Sequence, residues 1–250
     1  MGEGLSGRKI LIVGASSGVG RSMGLQAAAA GASVAFAARR EELVRSAAEE
    51  AGNGSVGLVC DARDPASCAA MVEQAAAALG GLDAVVYSTA IDILVRIAEA
   101  TADQWADTFA TNVFGAAHVT AAALPHVRAS KGRFLYISAS SVDRPLPAMG
   151  VYASSKAALE AMCRAWQSEH PDVAFCNVRI GSALGTGVTD SWDRDLLMDE
   201  AGRWNDLGYV HDNGPGGPMT VDEAAAAVLA VVESPTWFRE ITAVSDPGRA

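Results

Sequence analysis

Three sets of residues in this chain have types and spacings that can do chemistry. Tyr152 and Lys156, in YASSK, stand four apart; on a helix that is about one turn, so the phenol and the ammonium share a face. An isolated tyrosine titrates near 10, and a neighbouring cation favours the phenolate, so the pair can give or take a proton near neutral pH. Gly14, Gly18 and Gly20 follow the apolar run ILIV and precede the helix-favouring RSMGLQAAAA. Spaced G-x-x-x-G-x-G, they let the backbone turn sharply and approach a ligand that side chains would block. The helix behind them opens with free N–H groups and the positive end of its dipole. That is a site for a dinucleotide pyrophosphate, to which Ser16 and Ser17 add hydroxyl donors.

The third set ends the next apolar run, AFAARREE. Where a dinucleotide fold places an acid on the ribose 2′-hydroxyl stands Ala38, followed by Arg39 and Arg40. Two guanidinium groups suit a 2′-phosphate, and no carboxylate is there to repel it, so the expected cofactor is NADP rather than NAD. Asp61, in CDARD, is placed to accept a hydrogen bond from an adenine amino group; helix capping fits the same residue.

These residues need a scaffold, and the rest of the chain describes one. KILIV, SVAFAA, SVGLVC, DAVVY, RFLYIS, VAFCNVR and EITAV are seven short β-branched runs separated by Ala-rich, helix-length segments. Alternation of this kind implies βαβ crossovers: an α/β, Rossmann-like, doubly wound and mostly parallel seven-stranded sheet with helices on both faces. The runs need not alternate in polarity, because parallel strands are buried on both sides. Thr101 with Gln104 and Thr220 with Glu223 fit capping boxes, and Pro65 after Asp64 suits a first helical turn. The expected organisation is one domain over 1–250. Its irregular stretch, 181–218, has no fitting strand and only Asp193 to Ala201 reading as helix.

Bulk properties exclude other classes. A net charge of -10 leaves no basic stripe for nucleic acid or an anionic membrane, so any anion must be held locally. No run approaches the roughly 20 apolar residues that span a bilayer, and MGEGLSGRK carries no apolar signal region, so a cytoplasmic location is expected. Cys60, Cys68, Cys163 and Cys176 form no CxxC pair and have no His cluster nearby, so no metal site is expected.

Taken together, the Gly14-Gly18-Gly20 turn and Tyr152-Lys156, in that order and separation, resemble the short-chain dehydrogenase/reductase family from about Ser6 to Val244. The resemblance implies reversible hydride transfer between NADP(H) and a carbonyl or secondary alcohol. Tyr152 would act as general acid, and Lys156 would lower its pKa and hold the nicotinamide ribose. It implies that Asn112, in TNVFGA, holds a proton-relay water, and that a serine after the fifth strand polarises the substrate carbonyl. The ungapped position of that serine falls on Ala139; Ser140 is the expected substitute, with Ser138 in reserve. The cofactor wall implied by the resemblance extends to Val19, Ala62, Ala90 and Gly181. Thr186 would bond the pyrophosphate or carboxamide, with Thr189 competing. Two further motifs depart from the family pattern: Ser88-Thr89-Ala90-Ile91 stands where Asn-Asn-Ala-Gly is usual, and Ile180-Gly181 replaces Pro-Gly. Trp192, Trp204 and Tyr209 either anchor the irregular stretch or form an apolar lid, which would imply an apolar or ring-bearing substrate, and the family suggests a homodimer or homotetramer. A nucleotide-binding scaffold or sensor without turnover is the rival reading, motivated by the displaced serine.

Overall fold

The computed structural model describes residues 4–209 and 217–246. Seven strands make one sheet: β1 (Lys9–Val13), β2 (Ser33–Ala38), β3 (Val56–Val59), β4 (Ala84–Tyr87), β5 (Arg133–Ala139), β6 (Ala174–Ile180) and β9 (Glu240–Ala243). Their order is β3-β2-β1-β4-β5-β6-β9, with every pairing parallel. Each expected strand is present.

Alternate residues of β1 show why the runs are apolar throughout. Ile10 and Ile12 enter one core with Met23, Phe36, Val44 and Val228; Leu11 and Val13 enter the other with Met71, Val119, Phe134 and Leu159. The first core lies under α1 (Gly18–Ala29), α2 (Glu41–Ala51) and α8 (Val221–Glu233). The second lies under α3 (Pro65–Leu79), α5 (Gly115–Ala129) and α6 (Gly150–Glu169). Each fully buried aliphatic or aromatic side chain stabilises the sheet by about 1.5–3 kcal/mol.

Strand order reverses between β1 and β4. In such a sheet the crevice lies beyond the carboxyl ends at that point. There Gly14 turns with φ +96°, and a Cβ on it would meet the Thr89 amide nitrogen at 2.5 Å. A Cβ on Gly20 would lie 2.3 Å from the Gly14 carbonyl oxygen. Both glycines are therefore required by the chain's own close approach, independently of any ligand.

The capping boxes at Thr101 and Thr220 form, starting α4 (Ala102–Phe109) and α8. Asp64 accepts from the Ala66 amide with Pro65 in the first turn of α3. The expectation for 181–218 needs correction. β7 (Ala183–Leu184) pairs with β8 (Met219–Thr220) in a small second sheet, and α7 runs Arg194–Asp206, five residues past Ala201. Two-residue strands leave no periodicity to read, and the extra turn of α7 is held by distant contacts described below. Residues 210–216 of this stretch lie outside those described.

Candidate active site

A cavity of about 890 Å³ opens along the carboxyl edge of the sheet. Arg39, Arg40 and Asp61 line one end, the glycine turn its floor, and Tyr152, Lys156, Trp192 and Trp204 the other end. This volume lies at the upper end of the roughly 300–1,000 Å³ of ligand sites.

At the first end α1 starts at Gly18 with Ser17 in the N-cap position, yet no side chain caps it and its first turn holds no acid. The starts of α2 and α6 likewise lack a side-chain cap, whereas α3, α4, α7 and α8 are each capped by one. The Ser17 hydroxyl accepts instead from Arg40 Nη2 at 2.7 Å, and Ser16 Oγ accepts from the same nitrogen at 2.7 Å. An uncapped helix start beside two hydroxyls and a guanidinium is a donor set for a phosphate-bearing group, so the residues fit a dinucleotide. Arg39 is exposed in the same wall. Val19, Ala62, Ala90, Gly181, Thr186 and Thr189 also line the cavity, and the Thr186 carbonyl sits against Gly18.

Asp61 does not cap a helix; Asp64 does that. Its carboxylate accepts from Arg63 Nη2 at 2.8 Å, Nε at 3.1 Å and the Arg63 amide at 3.0 Å. These bonds hold its pKa down at about 2.

At the other end Tyr152 and Lys156 lie one turn apart on α6, with Nζ 5.6 Å from the ring centroid. Lys156 is buried, and Nζ donates to the Ile137 carbonyl at 2.7 Å. The expected lowering of the Tyr152 pKa is not what the surroundings produce. Burial pushes the phenol up, and Asp92 adds to the rise. Burial also brings Lys156 down to about 8, opposed by Asp92 and Glu160. The desolvation of the phenolate outweighs the attraction of one ammonium.

The serines separate cleanly. Ser138 Oγ is buried and donates to Glu160 Oε1 at 2.7 Å. Glu160 in turn takes Arg179 through Nε at 2.7 Å and Nη2 at 2.6 Å. Ser138 lines the cavity but its hydroxyl is engaged by this Glu160-Arg179 network, which favours Ser140 over it. Ser140 opens a single 3-10 turn, Ser140–Val142, in the cavity wall. Its neighbour Ser141 carries a buried hydroxyl with no partner. Ala139 ends β5 in the same wall.

Asn112 sits in a π-helical turn, Ala110–Phe114, between α4 and α5. Such turns displace backbone groups and recur at functional sites; here the Tyr87 hydroxyl donates to the Thr111 carbonyl. The Asn112 side chain is fully buried behind the cavity rather than in its wall. Its Oδ1 accepts from the Ile91 amide at 2.7 Å. Its Nδ2 donates to the Ile91 carbonyl and to Ser155 Oγ, both at 2.9 Å. Ser155 Oγ donates to the Tyr152 carbonyl at 2.7 Å, so one side chain ties the segment after β4 to the tyrosine helix.

That segment carries a residue the motifs missed. Asp92 lines the cavity; its Oδ1 is buried and unpartnered, and burial raises its pKa to about 7, with Lys156 opposing. The only signal in the sequence was one acid in the apolar run AIDIL. Trp192 Nε1 donates to the Asp92 carbonyl at 3.3 Å, and Trp204 Nε1 to the Pro147 carbonyl at 3.0 Å. The two indoles pack edge to face at 6.3 Å and, with Leu94, Leu146, Met149 and Leu197, form a third apolar cluster against Tyr152. Tyr209 completes this wall, its hydroxyl donating to the Pro145 carbonyl at 3.1 Å.

A parallel sheet with a nucleotide-shaped crevice at its switch point, ending in a tyrosine and lysine on one helix face, defines a dinucleotide-dependent oxidoreductase. Residues 8–196 match the short chain dehydrogenase family, and the chain belongs to that family, whose members are NAD(P)-dependent dehydrogenases and reductases. Among curated relatives, an 11-beta-hydroxysteroid dehydrogenase-like protein of Arabidopsis thaliana is 33% identical over 210 residues, covering 80% of this chain and 68% of that one. Two solved structures share the fold, each at a TM-score of 0.81. One is an alcohol dehydrogenase from the archaeon Thermococcus sibiricus complexed with 5-hydroxy-NADP, 22% identical over 96% of this chain and 97% of its own. The other is a 3-ketoacyl-(acyl-carrier-protein) reductase from Brucella melitensis complexed with NADH, 21% identical over 98% and 99%. Among the described residues no group of three or more His, Cys, Asp or Glu could hold a metal, and no helix is long and apolar enough to cross a membrane.

Proposed function

We propose that this protein interconverts a carbonyl and a secondary alcohol with NADP(H), on an apolar, ring-bearing substrate. The observation that carries the reading is one continuous cavity. It joins the uncapped start of α1 and the Arg39-Arg40 pair to Tyr152 and Lys156. The bound cofactor supplies or accepts the hydride. Tyr152 gives the substrate oxygen its proton in reduction, and burial keeps that proton on the phenol until it is needed. Ser140 orients the carbonyl oxygen. Lys156 holds the nicotinamide ribose and offsets negative charge developing at the phenol oxygen. Asn112 acts by positioning, because its side chain is spent on Ile91 and Ser155. Ser16, Ser17 and the α1 amides take the pyrophosphate, Arg39 and Arg40 the 2′-phosphate, and Asp61 the adenine edge.

The solved neighbours hold both cofactor types, so the preference for NADP rests on the two arginines and on the absence of an acid at Ala38. Titrating NADPH and NADH by tryptophan fluorescence tests it. The wild type should favour NADPH by at least tenfold, and Arg39→Ala and Arg40→Ala should each erode that ratio; equal affinities before and after mutation would defeat the assignment. Ala139 at the family's serine position favours the rival scaffold reading, which predicts NADPH binding but no NADPH oxidation by any ketone. We further infer a cytoplasmic homodimer or homotetramer, supported by buried thiols at all four cysteines and by exposed Phe114, Ala157 and Ala161. Sedimentation velocity measures the mass.

A further inference from the structure

Asp92 is held in place by bonds that leave its carboxyl out. Asn112 clamps the peptide groups of Ile91 on one side, and the Trp192 indole bonds the Asp92 carbonyl on the other. The side chain is thereby fixed in the cavity wall with a buried oxygen that no protein group satisfies. A buried carboxyl oxygen without a partner is costly and calls for a ligand that supplies one. We propose that Asp92 binds a hydroxyl group of the substrate beside the reacting carbonyl, so that the substrates are hydroxy ketones and the corresponding diols.

This inference rests on the carbonyl reduction proposed above. Asp92 lines the same cavity as Tyr152 and Lys156 and acts electrostatically on both, so it shares the end of the cavity where the carbonyl oxygen would meet the phenol. A substrate hydroxyl bonded to Asp92 is therefore held at the same end of the cavity as the Tyr152 phenol. A substrate ammonium would also satisfy a carboxylate, but the Lys156 ammonium in the same wall repels a second cation. A hydroxyl suits the site in either protonation state of Asp92, donating to the carboxylate or accepting from the acid. The indoles of Trp192 and Trp204 and the side chain of Met149 would hold the apolar remainder of the substrate.

The test compares 2-hydroxyacetophenone with acetophenone as NADPH-dependent substrates of the wild type, Asp92→Asn and Asp92→Leu. The wild type should prefer the hydroxy ketone in kcat/KM by at least about 100-fold, because a site built to bond a hydroxyl rejects the analogue lacking it. Asp92→Leu should bring the ratio within a few-fold of parity, and Asp92→Asn should retain an intermediate ratio. Ratios taken within one variant cancel any general loss of activity. No preference in the wild type, or an unchanged ratio in Asp92→Leu, overturns the inference. If neither ketone oxidises NADPH, the reductase reading fails instead, and calorimetric binding of the same two ketones decides the point about Asp92. Tighter binding of the hydroxy ketone, lost in Asp92→Leu, supports it; equal binding overturns it.

Discussion

Burial acts in opposite senses on the two groups at the catalytic end. It keeps Tyr152 protonated and makes the Lys156 ammonium easier to discharge, at about pH 8. Ketone reduction should therefore decline as pH rises through about 8, and a pH profile of kcat/KM checks it; a flat profile to pH 9.5 counts against the role of Lys156. Asp92 makes an independent prediction. Its pKa rises from 3.8 to about 7 on folding, so the folded protein binds that proton more tightly than the unfolded chain, and stability falls as pH climbs between these values. Asp92→Asn removes the effect. Its melting temperature should exceed that of the wild type by a margin that widens from pH 5 to pH 8, measured by calorimetry in a pH series. The glycines, arginines and Tyr152-Lys156 were legible because each motif is set by local spacing. Ser138 and Asp92 were not: the partner of Ser138 is 22 residues away on α6, and what defines Asp92 is the burial of its carboxyl.

Elements carry the same contrast. All seven main strands could be read, because each is a β-branched run bounded by turn residues. The π-helical turn could not, since its residues suit an α-helix equally well and only the Asn112 and Tyr87 contacts select the wider turn. Asn112→Ala orphans the Ile91 amide and carbonyl, at a cost of about 1–3 kcal/mol for each buried group left unbonded. A lower melting temperature and weakened substrate binding are both expected, the second read as a rise in KM. The extent of α7 past Ala201 was equally hidden, because Trp204 in the added turn is fixed by the distant Pro147 carbonyl, while contacts from elsewhere in the chain also anchor the helix upstream. Arg96, from the segment after β4, donates to Glu200 Oε1 at 2.9 Å and pairs with Asp199; Glu200 is itself fully buried and also holds Arg203. Arg96→Met should loosen this helix and the Trp192-Trp204 wall attached to it. Limited proteolysis should then cut within 184–209 several times faster than in the wild type, and unchanged cleavage would separate the pairing from the helix.

The molecule as a whole is acidic, and the groups proposed to take the cofactor's phosphates, the start of α1, Ser16, Ser17, Arg39 and Arg40, are gathered along one stretch of a single cavity. Ligand stabilisation should reflect that match. At 100 times its dissociation constant NADPH adds about 2.7 kcal/mol, which for a domain of this size raises the melting temperature by roughly 5–10 °C. NADH at the same concentration should add less, and equal shifts would contradict the 2′-phosphate assignment. The central claim is that the Tyr152 phenol delivers the proton to the substrate oxygen. Its most direct test is the turnover of Tyr152→Phe on a ketone that the wild type reduces, with NADPH saturating and the folded state checked by its NADPH-induced thermal shift. A loss of about 100-fold or more is predicted; a rate within a few-fold of wild type would contradict the account.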